Sequence, residues 1–270
     1  MISLVTATLG RTKELDRLCL SLANQIYKDF EFILVDQNED GAIDYIVRKY
    51  GNSFRIIHIK SSIKGLSYNR NIGLRYCHGE IVGFPDDDCY YDDKVLLQVA
   101  NQFCSASKYS FVVTEVRAIE TKKIFIRTPH LPIKRRSIFQ YCISYNFFVH
   151  RNPDLLFDEK MGVGQYWGSG EETDYLWALL QDSDMGIFLQ NTYIFHPQNA
   201  ASINYKRAYS YGLGFGALFK KEIIYRKHWG YFSLYLYNII RTLGGCLVKR
   251  QKKFYYYTLL GRIKGFISYK

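Results

Sequence analysis

The 270-residue chain has no C-x-x-C pair, no internal repeat, no low-complexity run and no long Pro- or Gly-rich linker. Each absence removes a class of protein. Without cysteines at metal spacing there is no zinc-ribbon or redox-dithiol signature. Cys19, Cys77, Cys89, Cys104, Cys142 and Cys246 read as reduced thiols in a cytosolic setting. Without repeats the chain is no solenoid. The opening MISLVTATLGRTKEL lacks the basic start, apolar run and small-residue cleavage site of a signal peptide, and reads as a first strand. GLGFG (212–216) opens no strand–turn–helix unit and lacks the full G-x-G-x-x-G, which removes a dinucleotide fingerprint. Acidic residues are nearly missing from one end. Residues 204–270 hold 14 Lys/Arg, 11 of the 24 tyrosines and a single acid, Glu222. Residues 1–203 are close to neutral, so the tail carries the net charge of +11. Such a tail suits an anionic surface, lipid or nucleic acid.

What is present first is an alternation. ISLVTAT (2–8), FEFILVD (30–36), FRIIHIK (54–60) and EIVGFPD (80–86) read as strands. KELDRLCLSLANQ (13–25), AIDYIVRKYG (42–51) and GLSYNRNIGLRYC (65–77) between them read as helices. Short apolar strands alternating with helices imply right-handed βαβ units, hence an α/β, Rossmann-like fold with a mostly parallel central sheet. YSFVVTEVRAI, KIFIRTP and QYCISYNFFVHR read as further strands, and GEETDYLWALLQDS as a helix. The charge shift divides the chain into a first domain, 1–203, and a basic, aromatic-rich helical tail, 204–270.

In such sheets ligands bind at the carboxyl ends of the strands. Thr8 and Arg11 follow the first strand, Asp36 ends the second, and Asp86, Asp87 and Asp88 follow the fourth. Three adjacent carboxylates repel one another unless a cation relieves them. Asp-x-Asp at a strand end suits Mg²⁺ or Mn²⁺, which takes one or two carboxylates plus substrate phosphates; the alternative is a solvated acidic loop. Asp92 or Asp93 reads as a cap for the next helix. Asp36 reads either as an Asx turn or as an acceptor from a nucleobase or ribose. Arg70, beside Asn71, can clamp a diphosphate or sit on a solvated helix face. His196 after an apolar strand is either structural or a third, nitrogen ligand to the metal. In YWGSGEETDYLWALL, Ser169 and Glu172 satisfy a capping box, while Glu171, Glu172 and Asp174 crowd a helix start beside Tyr166 and Trp167. A carboxylate there can take a proton from an attacking hydroxyl.

Over residues 2–200 the chain resembles the family-2 inverting glycosyltransferases of GT-A fold. ISLVTATLGRTKELDRLCLSL resembles the opening strand and helix, FEFILVDQNEDG the second strand, and GLSYNRNIGL the G-x-x-x-x-R-N-x-G segment. GFPDDDCYY resembles the D-x-D element and WGSGEETDYLWAL the later G-E-D-x-D element. The departures are Ala7 for the common Pro, Gly10 for the common Asn, and Glu172 where the family usually has its catalytic Asp. Tail segments RAYSYGLGFGALFKK and LLGRIKGF look like those of members that build bacterial surface polysaccharides.

The resemblance implies transfer of a sugar from a nucleoside-diphosphate sugar, a UDP-sugar first, to an acceptor hydroxyl with inversion. Thr8, Arg11, Asp36, Arg70, Asn71, Asp86 and Asp87 would bind the donor, and Asp88 with His196 would hold Mn²⁺ or Mg²⁺. Glu172, with Asp174 as rival, would be the base, and Tyr166, Trp167 and Glu171 would meet a glycan or lipid-linked glycan acceptor. The apolar stretch YFSLYLYNIIRTLGGCLV (231–248) contains Arg241 and two glycines and is short for a spanning helix. It reads as an interfacial segment on the inner face of the cell membrane or as a helix docked on the catalytic domain, and no nucleic-acid partner is expected. Three rivals stand beside this reading. An aspartyl-phosphate phosphatase expects D-x-D-x-T/V after its first strand, whereas here the aspartates follow the fourth and Tyr90 takes the fifth position. A sugar-nucleotide pyrophosphorylase needs a Gly-rich basic loop after the first strand, where TATLGRTKEL has one Gly. A non-catalytic membrane or nucleic-acid binding protein would need no acidic clusters on a strand rim.

Overall fold

The computed structural model describes residues 1–39, 41–105, 108–124, 132–198 and 204–270. Alternation of β-branched strands with amphipathic helices yields β1 (Ile2–Thr8), α1 (Thr12–Ala23), β2 (Phe30–Asp36), α2 (Asp44–Tyr50), β3 (Arg55–Lys60), α3 (Leu66–Leu74) and β4 (Ile81–Gly83). These strands pair parallel in the order β3-β2-β1-β4. Then come β5 (Tyr90–Tyr91), α4 (Val95–Cys104), β6 (Phe111–Ala118), β7 (Ile133–Lys134), α5 (Ile138–Tyr141), β8 (Phe147–His150), α6 (Glu171–Leu179) and β9 (Met185–His196). They extend the sheet as β8-β6-β9-β5, with β7 on β9. β8 runs antiparallel to β4 and β6, whereas β9 is parallel to β6. The α/β class with a mostly parallel sheet is therefore as expected.

Two compact units emerge. One holds residues 1–64, 68–156 and the segment from 179 through β9; the other holds 65–67, 157–178 and the described residues after 203. The charge shift at 203/204 borders residues 199–203, outside the described residues. By contact, residues 157–178 group with α7 (Tyr205–Lys220), α8 (Tyr231–Val248) and α9 (Lys252–Ser268).

Two local readings are corrected. In QYCISYNFFVHR only Phe147–His150 is strand. Before it, α5 ends and a short 3₁₀ turn is tied by Asn146, which accepts from the Ile143 amide (2.8 Å) and donates to the Tyr141 carbonyl (3.0 Å). Apolar composition read as strand gave way to this side-chain-locked turn. Neither Asp92 nor Asp93 caps α4, whose N-cap is Lys94 and has no side-chain cap. Most of KIFIRTP lies outside the described residues.

In the second unit α7 and α9 cross at near backbone contact. A Cβ on Gly216 would lie 2.2 Å from the Arg262 carbonyl oxygen, and one on Gly265 would lie 2.0 Å from that of Leu213. Only glycine permits that approach.

At the amino ends of the sheet, fully buried Glu31 accepts from the Ser3 hydroxyl (2.7 Å) and from the His78 amide (2.6 Å). Ser3 in turn accepts from the Gly79 amide (2.8 Å), which fixes the turn into β4. Burial raises the Glu31 pKa, but the bonds from His78 and Ser3 outweigh it and hold the carboxyl below its usual range. A depressed pKa contributes stability that is complete above the unfolded value and is lost as pH falls through the folded one. Glu31→Ala is expected to cost about 2–4 kcal/mol at neutral pH. In urea titrations the deficit should shrink below about pH 4.

Candidate functional site

Strand register builds the rim. Thr8 lies opposite Asp36 and Asp36 opposite Lys60, so three strand ends finish level. Past β4 the chain continues beside β1, with the Thr6 hydroxyl donating to the Pro85 carbonyl (2.8 Å) and that of Thr8 to Asp87 (2.8 Å). This brings Asp86, Asp87 and Asp88 onto the rim.

The three carboxylates are answered one by one. Arg70, 1% exposed, donates to Asp86 at 2.9 Å. Arg11 donates to Asp87 (3.0 Å) and to Asp88. Arg17 donates to the Asp88 carbonyl at 2.7 Å. His196 Nε2 stands 3.2 Å from Asp88 and 4.0 Å from Asp86. Burial pushes the Asp87 carboxyl up to about 6, against the pull of Thr8 and Arg11. Burial also raises Asp88, but His196 and Arg11 more than reverse it. The Arg11 guanidinium is held above its ordinary value: burial lowers it, and the charges of Asp87 and Asp88 outweigh that.

Asp86, Asp88 and His196 offer one ligand atom each, all within 4.8 Å of one another. The His196 ring stacks on Tyr145 (4.3 Å, 13°), and its Nδ1–H donates to the Pro197 carbonyl (2.9 Å). A carbonyl only accepts, so Nδ1 carries a proton and Nε2 faces the carboxylates. Three lone-pair donors converging on one point need a proton or a cation between them. Accordingly His196 is held above its ordinary pKa: burial lowers it, and Asp88 and Asp86 override that. Two carboxylate oxygens and one imidazole nitrogen fit a divalent cation such as Mn²⁺ or Mg²⁺. His196 thus stands beside Asp88 in one cluster. Asp86, expected on the donor side, belongs to the same triad.

Asp36 is fully buried. It accepts from the Asn38 amide (2.9 Å) and side chain (2.8 Å) and from Lys60 (2.7 Å), with His58 at 3.1 Å. Burial raises its pKa, yet Lys60, Asn38 and His58 hold it below the usual range. The Asx turn is therefore real, and it aims the Gln37–Asn38 loop at Gly10, whose amide donates to Asn38. Gly10 has a left-handed φ of 75°. Asn71 is buried beside Arg70 on α3. Lys60 and His58 were not anticipated, although period-2 spacing in FRIIHIK puts both on one face, in step with Asp36.

In the second unit α6 begins at Glu171, so Gly170, not Ser169, precedes the helix; the Ser169 hydroxyl donates to the Tyr211 carbonyl (3.0 Å). Glu172 is half-buried in the first turn, while Glu171 is buried. Asp174 sits in an ion network, 2.6 Å from Lys221 and 2.8 Å from Arg226. Lys221 also pairs with Asp158 (2.5 Å), which accepts from the Tyr269 hydroxyl as well. Burial raises Asp158, and Lys221 and Tyr269 bring it below the ordinary carboxylate range. Arg226 further pairs with buried Glu222 (3.1 Å). Tyr166 is 54% exposed and meets half-buried Trp167 edge to face at 5.1 Å.

A sequence model of glycosyl transferase family 2 matches residues 3–167, more than half of the chain. The chain belongs to glycosyl transferase family 2. Over 104 residues it is 29% identical to the poly(ribitol-phosphate) beta-N-acetylglucosaminyltransferase TarP of Staphylococcus aureus, covering 37% of this chain and 32% of TarP. Over 106 residues it is 32% identical to an uncharacterized glycosyltransferase of Haemophilus influenzae, covering 38% and 35% of the two chains. This family 2 chain spans between 20% and 35% of the length of the curated relatives it matches. Among solved structures, S. aureus TarS 1–349 with UDP-GlcNAc matches at a TM-score of 0.63 and 18% identity, over 98% of this chain and 81% of that one. The mannosyltransferase PcManGT of Pyrobaculum calidifontis, with GDP-Man and Mn²⁺, matches at 0.67 and 13%, over 98% and 86%. At those identities the likeness is one of fold, which is the GT-A-like α/β fold expected.

Removing the nitrogen ligand should weaken cation binding without unfolding the sheet. His196→Ala is expected to lower Mn²⁺ affinity by about tenfold or more in a paramagnetic-resonance titration without nucleotide. An unchanged titration would remove His196 from the ligand set.

Proposed function

We propose that the protein transfers a sugar from a nucleoside-diphosphate sugar to an acceptor hydroxyl, with inversion, in bacterial surface-polysaccharide synthesis. The observation that carries this is the Asp86, Asp88 and His196 cluster on the same strand-end rim as Thr8 and Asp36, in a family 2 chain. The bound UDP-GlcNAc of TarS and the GDP-Man with Mn²⁺ of PcManGT support a sugar-nucleotide donor, for which a UDP-sugar is the first choice. The reading includes a glycan or lipid-linked glycan acceptor and a cytoplasmic protein lying peripherally on the inner face of the cell membrane.

Each residue then has a task. Asp36 and Thr8 face the base, with Asn38 and Lys60 fixing the Asp36 carboxylate. Asp87, which accepts from Thr8 and Arg11, faces the ribose. Arg11 keeps half of its side chain exposed, so it can leave the aspartates for donor phosphate. Arg70 is buried and acts through Asp86 by orienting that carboxylate, with Asn71 beside it. Asp86, Asp88 and His196, the D-x-D element and its nitrogen partner, hold the divalent cation. When bound there, a cation would supply neutralisation of the charge that develops on the diphosphate leaving group. Glu172 takes the acceptor proton as the hydroxyl attacks the anomeric carbon and the bond to the diphosphate oxygen breaks, the nucleoside diphosphate leaving. Asp174, its rival, is committed to Lys221 and Arg226, which favours Glu172. Tyr166 and Trp167 offer aromatic faces to the acceptor, with Glu171, buried at the helix start, as the third acceptor-side residue.

Glu172→Gln keeps the shape and removes the basicity. It is expected to retain donor affinity by calorimetry while turnover, read as released nucleotide, falls by about 10²–10⁴. Undiminished turnover would move the base elsewhere.

A further inference from the structure

α8 turns its polar and small positions inward. Asn238, Thr242 and Gly245 are buried, and Tyr235 stacks on Phe266 of α9 at 4.7 Å. Arg262 of α9 donates to the Asn238 carbonyl (2.9 Å) and to the Thr242 hydroxyl. The apolar positions are left outside. Phe232, Leu236, Ile240, Leu243 and Leu247 recur at helical spacing and are all exposed, Ile240 at 59% and Leu247 at 68%. Antiparallel to it, α9 exposes Tyr256, Leu260, Ile263 and Ile267, the last at 67%. This inverts the usual arrangement of a surface helix, whose apolar stripe faces the core. An exposed apolar surface of this extent on two adjoining helices is a mark of an interaction site.

The charge identifies the partner. Residues 231–270 carry eight Lys or Arg and no Asp or Glu. Arg262 is turned inward, and the other seven, including Lys249, Arg250, Lys252 and Lys253 at the α8–α9 link, are exposed. No helix among the described residues is long and apolar enough to cross a membrane. We propose that the α8–α9 hairpin lies in the plane of an anionic lipid surface, its apolar stripes in the acyl boundary and its lysines and arginines among the phosphates. Aromatic and aliphatic residues beside a cationic rim suit that depth. A second copy of this chain would bring like charge against like, which disfavours that occupant. The inference deepens the membrane-surface part of the proposed function and rests on it; because lipid binding is read without donor or acceptor, its failure would leave the sugar-transfer part standing.

Sedimentation of the full chain with phosphatidylcholine vesicles, with and without phosphatidylglycerol, tests it. The anionic vesicles are expected to bind at least about tenfold more protein, with binding falling as salt rises. Leu236→Glu with Ile240→Glu should abolish that binding, and so should Lys249→Glu with Lys252→Glu. All four side chains are exposed, and thermal melts should match those of the native chain. Equal binding to both vesicles, or binding untouched by either pair, would overturn the proposal. So would a lipid-free dimer, seen by light scattering, that Ile240→Glu dissociates, because it would assign the stripe to a second copy.

Discussion

The candidate site depends on relief of charge at one strand rim. Three consecutive carboxylates, all largely withdrawn from water except for part of Asp86, are held together by Arg11, Arg70 and His196, while Arg17 fixes the Asp88 backbone carbonyl. The sheet makes this possible because Thr8, Asp36 and Lys60 end their strands in register. The chain after β4 is laid alongside β1 by hydrogen bonds from Thr6 and Thr8. The arrangement leaves the carboxylates unequal. Asp87 is raised by burial, whereas Asp88 is lowered by His196 and Arg11 in spite of it. Under the proposed function, such separation of neighbouring carboxylates would let one hold a cation while another meets a sugar hydroxyl.

The second unit solves a different problem. The chain brings Asp158, Asp174 and Glu222 out of water and matches them with Lys221, Arg226 and His228. Lys221–Tyr225 forms a π-helical turn after α7, which sets Lys221 and Arg226 at the spacing that reaches Asp174. Buried pairs of this kind contribute geometry more than stability. Here the geometry is that of α6, whose first turn carries Glu172.

Much of the first unit was legible. The strands of residues 2–60 announce themselves by β-branched and aromatic runs ending in Thr8, Asp36 and Lys60, and the rim follows from their parallel order. The Asp86-x-Asp88 spacing and the isolated His196 pointed to a metal. The x between Asp86 and Asp88 let a turn aim those two to one side, although the family resemblance had put Asp86 with the donor. The side-chain lock of Asn146 was hidden in an aromatic run resembling strand. The commitment of Asp174 to Lys221 and Arg226 was invisible too, since it joins residues about fifty apart through helix packing. In α8 the apolar residues were plain, but their outward direction was not; it follows from the inward turn of Asn238 and Thr242.

The central claim is that the Asp86, Asp88 and His196 cluster holds a cation on which donor binding depends. Calorimetric titration of Asp88→Asn with a UDP-sugar in the presence of Mn²⁺, against the native chain, tests it most directly. The account predicts metal-dependent donor binding in the native chain and its loss in the variant. Equal donor affinity in both, with metal present, would contradict it.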